Sequence, residues 1–461
     1  MDVEFLARLQ FAFTIAFHYI YPPLSIGLGI LLVISEGLYL KTKDKVYENM
    51  TKFWVKIFGL TFAMGVATGI VMEFEFGTNW ATYSRYVGDI FGSALAAEGI
   101  FAFFLESGFL AILLFGWNRV SPKMHFFSTC MVSLGSIMSA VWIVVANSWM
   151  QTPAGYRIVG EGLNARAEIT DFWAMVFNPS SVDRLTHVLG GSFLAGAFLF
   201  ISVHAYYLLK NKHTDISLRG IKIGVIVAVL ASLFQLFTGH SSAVGVAKNQ
   251  PAKLAAFEAH YDSSAAGDLY LFGWVDEEGR QVKYGIAIPG MLSFLISGDT
   301  KTPVKGLDAF PADVVPKRVN FIFQTYHLMV AIGFGLIGIS LLAAFLSFTG
   351  KITKYRWFLW VLVFSVLLPQ IANQVGWYTA EVGRQPWIVY GILRTSDALS
   401  KAVSAEEILF SLILFTVIYL FLFLMFIFLL DRKIKHGPVF PEHKTGEEEE
   451  QFSVTRPHLT E

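Results

Sequence analysis

The 461-residue chain has a single cysteine, Cys130. That excludes an intrachain disulfide, a Cys-x-x-Cys-His haem attachment and a cysteine metal cluster. Net charge is missing too: 35 Lys and Arg offset 35 Asp and Glu, which argues against a nucleic-acid partner. The N-terminus has neither a basic n-region nor a small-residue cleavage site, so its long apolar run does not read as a signal peptide. No internal repeat is evident, which leaves an inverted-repeat transporter without direct support.

What the chain does have is apolar length. It is 54% hydrophobic and 15% charged, with 43 Phe and 11 Trp, and its mean hydropathy is +0.55. No soluble domain of this size needs so much apolar surface, so the expected fold class is an all-α polytopic membrane protein. Nine transmembrane helices are expected, roughly at 10–40, 53–76, 94–117, 126–150, 185–209, 221–240, 319–348, 357–380 and 406–430. Each can cross about 30 Å of hydrocarbon. Residues 1–240 would then hold helices 1–6, 241–318 one long hydrophilic outer loop, 319–431 helices 7–9, and 432–461 a tail.

Lys and Arg in the short loops set the orientation. Sixteen lie on one side, among them Lys41, Arg119, Lys210, Lys351 and Arg432, against seven on the other. This puts the N-terminus outside and the C-terminus in the cytoplasm. The acidic run Glu447–Glu450 reads as a solvated end. In the first span, Pro22 lacks the N–H that would bond the carbonyl of His18, so the helix should bend or open there.

Ionisable residues inside such spans are costly, and each is a candidate for function. His18 lies in the first span, where hydrogen-bonded packing and metal ligation are both open. Glu98 and Glu106 lie in the third. Eight residues apart, they differ by about 80° around a regular helix and about 12 Å along it, so they can share one side. His187 and Met329 enter from the same face of the membrane, and a His–Met pair is one way to hold a low-spin haem iron. His327 and Met329 differ by about 200° and face opposite ways. His204 reads as an interfacial residue on the cytoplasmic side. The run Ala380-Glu381-Val382-Gly383-Arg384-Gln385-Pro386-Trp387 closes the eighth span, with Gly383 and Pro386 as stops. There Glu381 and Arg384 are either a helix-end anchor or part of a site edged by Trp377 and Trp387. In the second case Arg384 would pair with a haem propionate.

Several long motifs carry a resemblance. Arg8-Leu9-Gln10-Phe11, Thr51-Lys52-Phe53-Trp54, Met72 to Trp80, Tyr86 to Gly92 and Gly383 to Trp387 make the chain similar to subunit I of the cytochrome bd-type quinol oxidases, from the N-terminus to about Thr395. The resemblance implies oxidation of a membrane quinol, menaquinol or ubiquinol, and reduction of dioxygen to water in a bacterial plasma membrane. It implies three haems: a low-spin haem b on His187 and Met329, a high-spin haem b, and a haem d or a further haem b. His18 and Glu381 match the ligands of the two high-spin rings, with Glu98 beside them, and Glu106 matches a carboxylate on the route of cytoplasmic protons. Gln250 to Glu258 resembles the quinol-contacting segment, with Lys253 and Glu258 as matched residues. A second oxidase subunit and a small single-span subunit are implied partners. Two departures stand out: the outer loop lacks the long insertion of the enterobacterial-type relatives, and position 327 is His where those relatives have Arg. A haem-free proton-coupled transporter and a cytochrome that reduces a partner are the rival readings.

Overall fold

The computed structural model describes residues 2–263 and 266–439; the acidic run Glu447–Glu450 lies outside them. Among the described residues, nine helical segments are long and apolar enough to cross a membrane. The first span is two helices, α1 (Val3–His18) and α2 (Tyr21–Thr42). They part beside Pro22, where the missing N–H requires it. The second is α3 (Lys45–Thr78), started by the Asp44 carboxylate capping the Val46 N–H. A short α4 (Ala81–Tyr86) leads to the third span, α5 (Gly88–Glu98) and α6 (Phe104–Phe115), joined by a π-helical turn at Gly99–Phe103. The fourth is α7 (Pro122–Gln151), with Ser121 as N-cap and Pro122 in the first turn, where its lack of a donor costs nothing.

After the short α8 (Phe172–Val176) come α9 (Ser181–Leu209) and α10 (Thr214–Asn249), then α11 (Pro251–Phe257) and α12 (Met291–Ser297) in the long loop. The seventh span is α13 (Val319–Phe348). The eighth is broken into α14 (Arg356–Phe364) and α15 (Leu367–Val382). Pro369 cannot bond the carbonyl of Ser365, which explains the break. The ninth, α16 (Ala405–His436), opens with a capping box between Ser404 and Glu407.

Helix α9 forms the centre of the bundle and packs against α2, α7, α10, α14 and α15. Small residues allow this. A Cβ at Gly27 of α2 would stand 2.7 Å from the Cα of Gly196 on α9, so the two backbones cross at glycine. Aromatic packing fills the neighbouring space, with Trp54 stacked on Phe200 at 4.5 Å between ring centres.

Three expectations are refined. His204 is not exposed at a helix end: it is fully buried, and its Nε2 accepts from the Trp54 indole N–H at 3.1 Å. The long loop starts later than residue 241, because α10 runs on to Asn249. The fold is mainly helical, and among the described residues three two-stranded antiparallel sheets occupy the loops: β1 (Tyr156–Val159) with β2 (Arg166–Ile169), β3 (Leu269–Asp276) with β4 (Gln281–Ile288), and β5 (Trp387–Val389) with β6 (Leu393–Arg394).

Candidate active site

Helix α15 connects most of the predicted residues. Its positions Gln370, Asn373, Gln374, Trp377 and Glu381 recur at three- and four-residue steps, so they share one face. Gln374 Nε2 donates to the carbonyl of Ala16, two residues before His18, at 2.7 Å. A Cβ at Gly376 would stand 2.6 Å from the sulfur of Met329, and one at Gly191, one turn from His187, would stand 2.6 Å from Asn373 Oδ1. At the end of the helix, Glu381 is held on two sides. Its Oε2 is 2.6 Å from Arg384 Nη2, and its Oε1 accepts from Asn147 Nδ2 and Gln151 Nε2 at 3.2 Å each.

The Glu381 cluster extends into α11. Lys253 is 2% exposed, and its Nζ donates to Gln151 Oε1 at 2.8 Å and Gln250 Oε1 at 3.2 Å. Burial pushes its ammonium well below the usual lysine range; Arg184 and Arg384 act in the same direction, while Glu381 opposes them. Arg184 donates to Asn147 Oδ1. Arg384 also donates from Nε to the carbonyl of Trp387 at 3.1 Å, and the Trp387 ring lies 5.2 Å from the Arg394 guanidinium. Trp377 is half-buried and packs on Tyr378.

Glu258, the residue that ends α11, has partners different from those of Lys253. It is 2% exposed and 3.9 Å from His327 Nε2. Burial pushes its carboxyl up to about 8, with a hydrogen bond from Tyr326 opposing the shift. Phe257 stacks on Tyr326 at 4.9 Å, which fixes both ends of this contact.

The predicted ligand positions are well oriented. His18 Nδ1 is 2.9 Å from Thr68 Oγ1, and a Cβ at Gly69 would press on its ring at 3.3 Å. His187 Nδ1 is 3.2 Å from Thr238 Oγ1, and its Nε2 is 3.4 Å from Gln235 Nε2. Measured along their own helices, His187, Met329 and His18 lie about 9, 15 and 22 Å from the helix starts. Their surroundings all meet α15 within one turn, between Asn373 and Gly376. Glu98 and Glu106 both face α7: Ser139 Oγ donates to Glu98 Oε1 at 2.5 Å, and Glu106 packs directly on Gly135.

Buried polar atoms without a protein partner test whether a haem fits this interior. They include both side-chain ends of Gln370, Asn373 Nδ2, Gln374 Oε1, Trp142 Nε1, Arg184 Nε and Arg384 Nη1. Such groups are costly unless something pairs with them. Two unspent guanidinium donors beside His and Met side chains fit an iron porphyrin with acidic substituents. The uncharged members Asn147, Gln151 and Tyr326 are not among the residues expected from the sequence. Their signal was amide side chains four residues apart at the end of an apolar span.

These features define a multi-pass helical membrane protein with ionisable side chains gathered inside the bundle. The family model described as cytochrome bd terminal oxidase subunit I matches residues 6–438. Among curated relatives, the cytochrome bd ubiquinol oxidase subunit 1 of Bacillus subtilis (strain 168) is 38% identical, covering 95% of each chain. The cytochrome bd-II ubiquinol oxidase subunit 1 of Escherichia coli (strain K12) is 34% identical, over 95% of this chain and 97% of that one. That alignment runs over 502 positions against 461 residues here, so the relative carries segments this chain lacks. The solved bd oxidase of Geobacillus thermodenitrificans superposes with a TM-score of 0.87 at 31% identity, covering 95% of this chain and 99% of that one.

The chain belongs to the cytochrome bd terminal oxidase subunit I family. It is a quinol:oxygen oxidoreductase subunit of the bacterial plasma membrane, and haem is expected for the family. The haem-free transporter reading is thereby set aside.

Proposed function

We propose that this chain oxidises quinol at the α11 end of the bundle, on the outer side, and delivers electrons to dioxygen using protons from the cytoplasm. The N-terminus would lie outside and the C-terminus inside. In this reading residues 1–240 and 319–431 are the membrane part, and 241–318 is the quinol-binding segment, which α10 shortens to begin near residue 250. The carrying observation is the buried network that runs without a break from Lys253 through Gln151 to Glu381 and Arg384. It links the segment that would touch quinol to the helix that touches the proposed ligand positions.

Each residue has a stated task. Lys253, with its ammonium disfavoured by burial, orients the quinol head group through a neutral or weakly charged amine. Glu258 takes a proton from quinol and releases it to the outer side. His187 and Met329 would hold a low-spin haem b, while His18 and Glu381 would hold a high-spin haem b and a haem d. Arg384 would turn its free Nη1 to a propionate at the rim formed by Trp377 and Trp387. Bound haem supplies one-electron relay and the iron at which dioxygen is reduced. Glu106 and then Glu98, both lying along α7, pass cytoplasmic protons inward. Taking protons from one side and releasing them on the other builds a membrane potential without a pump. A dry interior limits escape of partly reduced oxygen. A second oxidase subunit and a small single-span subunit would cover other exposed helices, such as the largely exposed α16. Purified protein should show haem bands in its visible spectrum and consume oxygen with quinol. A colourless protein, or one that oxidises quinol without oxygen uptake, would overturn the reading.

A further inference from the structure

The β3–β4 hairpin exposes a set of large apolar side chains. Phe272, Trp274, Tyr284 and Ile286 are each more than half exposed, with Phe272 and Ile286 paired across the strands. Its other face, with Tyr270, Val275 and Val282, packs on the protein. Tyr284 holds its ring outward from a backbone at φ 55°, a conformation a bulky residue rarely adopts.

Helix α13 gives the depth of this hairpin. Near its start Asn320 Oδ1 accepts from the Val275 N–H at 3.1 Å. One turn on, Gln324 Nε2 donates to the carbonyl of Gly273 at 2.7 Å. One turn further, His327 Nε2 lies 2.8 Å from the carbonyl of Tyr270. From Asn320 to His327 is about 10 Å of helix. Strand β3 therefore descends along α13, with its turn uppermost and its root lowest. That turn is charged, with Glu277, Glu278 and Arg280, and Lys283 closes on Asp276 at 2.5 Å.

Helix α13 has 30 residues and is about 45 Å long, against about 30 Å of hydrocarbon. Centred, it extends about 7 Å beyond the hydrocarbon at each end, and His327 lies about 12 Å below its start. The root of the hairpin thus reaches the hydrocarbon boundary. Two turns below His327 on the same face, exposed Phe334 of α13 continues the apolar surface into the membrane-spanning part of the helix.

We propose that the β3–β4 hairpin is an interfacial anchor. Phe272, Trp274, Tyr284 and Ile286 seat in the boundary between head groups and acyl chains at the α11 end, while the Asp276–Arg280 turn stays in water. A two-stranded hairpin has unpaired edges, so it cannot enter the hydrocarbon core, where backbone groups find no partner. The boundary layer supplies those partners and favours Trp and Tyr. Continuity with the membrane-spanning part of α13 identifies lipid as the occupant. The anchor would hold the loop containing α11 level with the membrane, where a membrane-dissolved quinol arrives. That consequence rests on the proposed quinol site, whereas the anchor itself does not.

The test uses the complete oxidase in lipid nanodiscs, with Cys130→Ala as background and single spin labels at Phe272→Cys, Ile286→Cys and Glu278→Cys. Collisions with lipid-soluble oxygen and with a water-soluble nickel chelate report depth. Labels at 272 and 286 should favour oxygen and lose nickel broadening, and the label at 278 should do the reverse. Equal nickel access at 286 and 278 would mean an aqueous hairpin and overturns the proposal. Access to neither reagent at 272 and 286 would mean a protein covers this face and overturns it as well. A further label at Tyr284→Cys repeats the measurement if either core variant fails to fold, with an unaltered visible spectrum as the check on folding.

Discussion

Replacing Glu258 with Gln tests the donor side of the proposed reaction. Burial pushes the Glu258 carboxyl up to about 8. At that value about one carboxyl in ten is ionised at pH 7 and about nine in ten at pH 9. Only the ionised form can take a proton from quinol. The rate should therefore climb roughly tenfold over that interval, with its midpoint near pH 8, and level off above it. Glutamine keeps the size of the side chain and its place beside Tyr326 but cannot take up the proton. The climb should disappear, and turnover at pH 9 should fall by about 10²-fold, the lower end of what a positioned base contributes. The assay is oxygen uptake with a soluble quinol analogue between pH 6 and 9.5, read as kcat/KM, alongside a visible spectrum showing the haems unchanged. A variant that retains the climb and its midpoint would refute Glu258 as the acceptor.

Three further outcomes are expected. Met329→Leu should remove one low-spin signature from the visible spectrum and leave the high-spin bands in place; an unaltered low-spin band would show that this sulfur is not a ligand. Glu106→Gln should slow turnover severalfold without raising KM for quinol, because it lies on the proton side, and stopped-flow reduction of the haems by quinol should stay fast. Trp54→Phe leaves His204 Nε2 without its buried donor. It should cost about 1–3 kcal/mol, read as a lower Tm in detergent with activity per folded molecule preserved.

The spans were legible because hydrocarbon demands long apolar runs, and the opening at His18 was legible because Pro22 lacks a donor. The Glu381–Arg384 ion pair was one of the two readings that their three-residue spacing at a helix end left open. The burial of His204 was not legible from its place near the end of an apolar run. What buries it comes from elsewhere: Trp54 on α3, and Gly220 on α10, where a Cβ would collide with the imidazole. No local pattern carries that information. The β3–β4 hairpin was missed for a different reason. Leu269-Tyr270-Leu271-Phe272-Gly273-Trp274 has no alternation, since register shifts put neighbouring apolar residues on the same side. Asn147 and Gln151 were passed over because amides carry no charge, although they are the donors that hold the Glu381 carboxylate.

The π turn at Gly99–Phe103 has a consequence of its own. A wider coil advances each residue by less than 100°, so it takes up the angular offset that would otherwise turn Glu98 away from the groove where Glu106 sits. Making that turn a regular helix at its present length would rotate one acid by about 80° relative to the other, whereas also deleting one residue would leave only about 20° between them, with both side chains chemically intact. Aim and acidity can therefore be altered separately at these two positions.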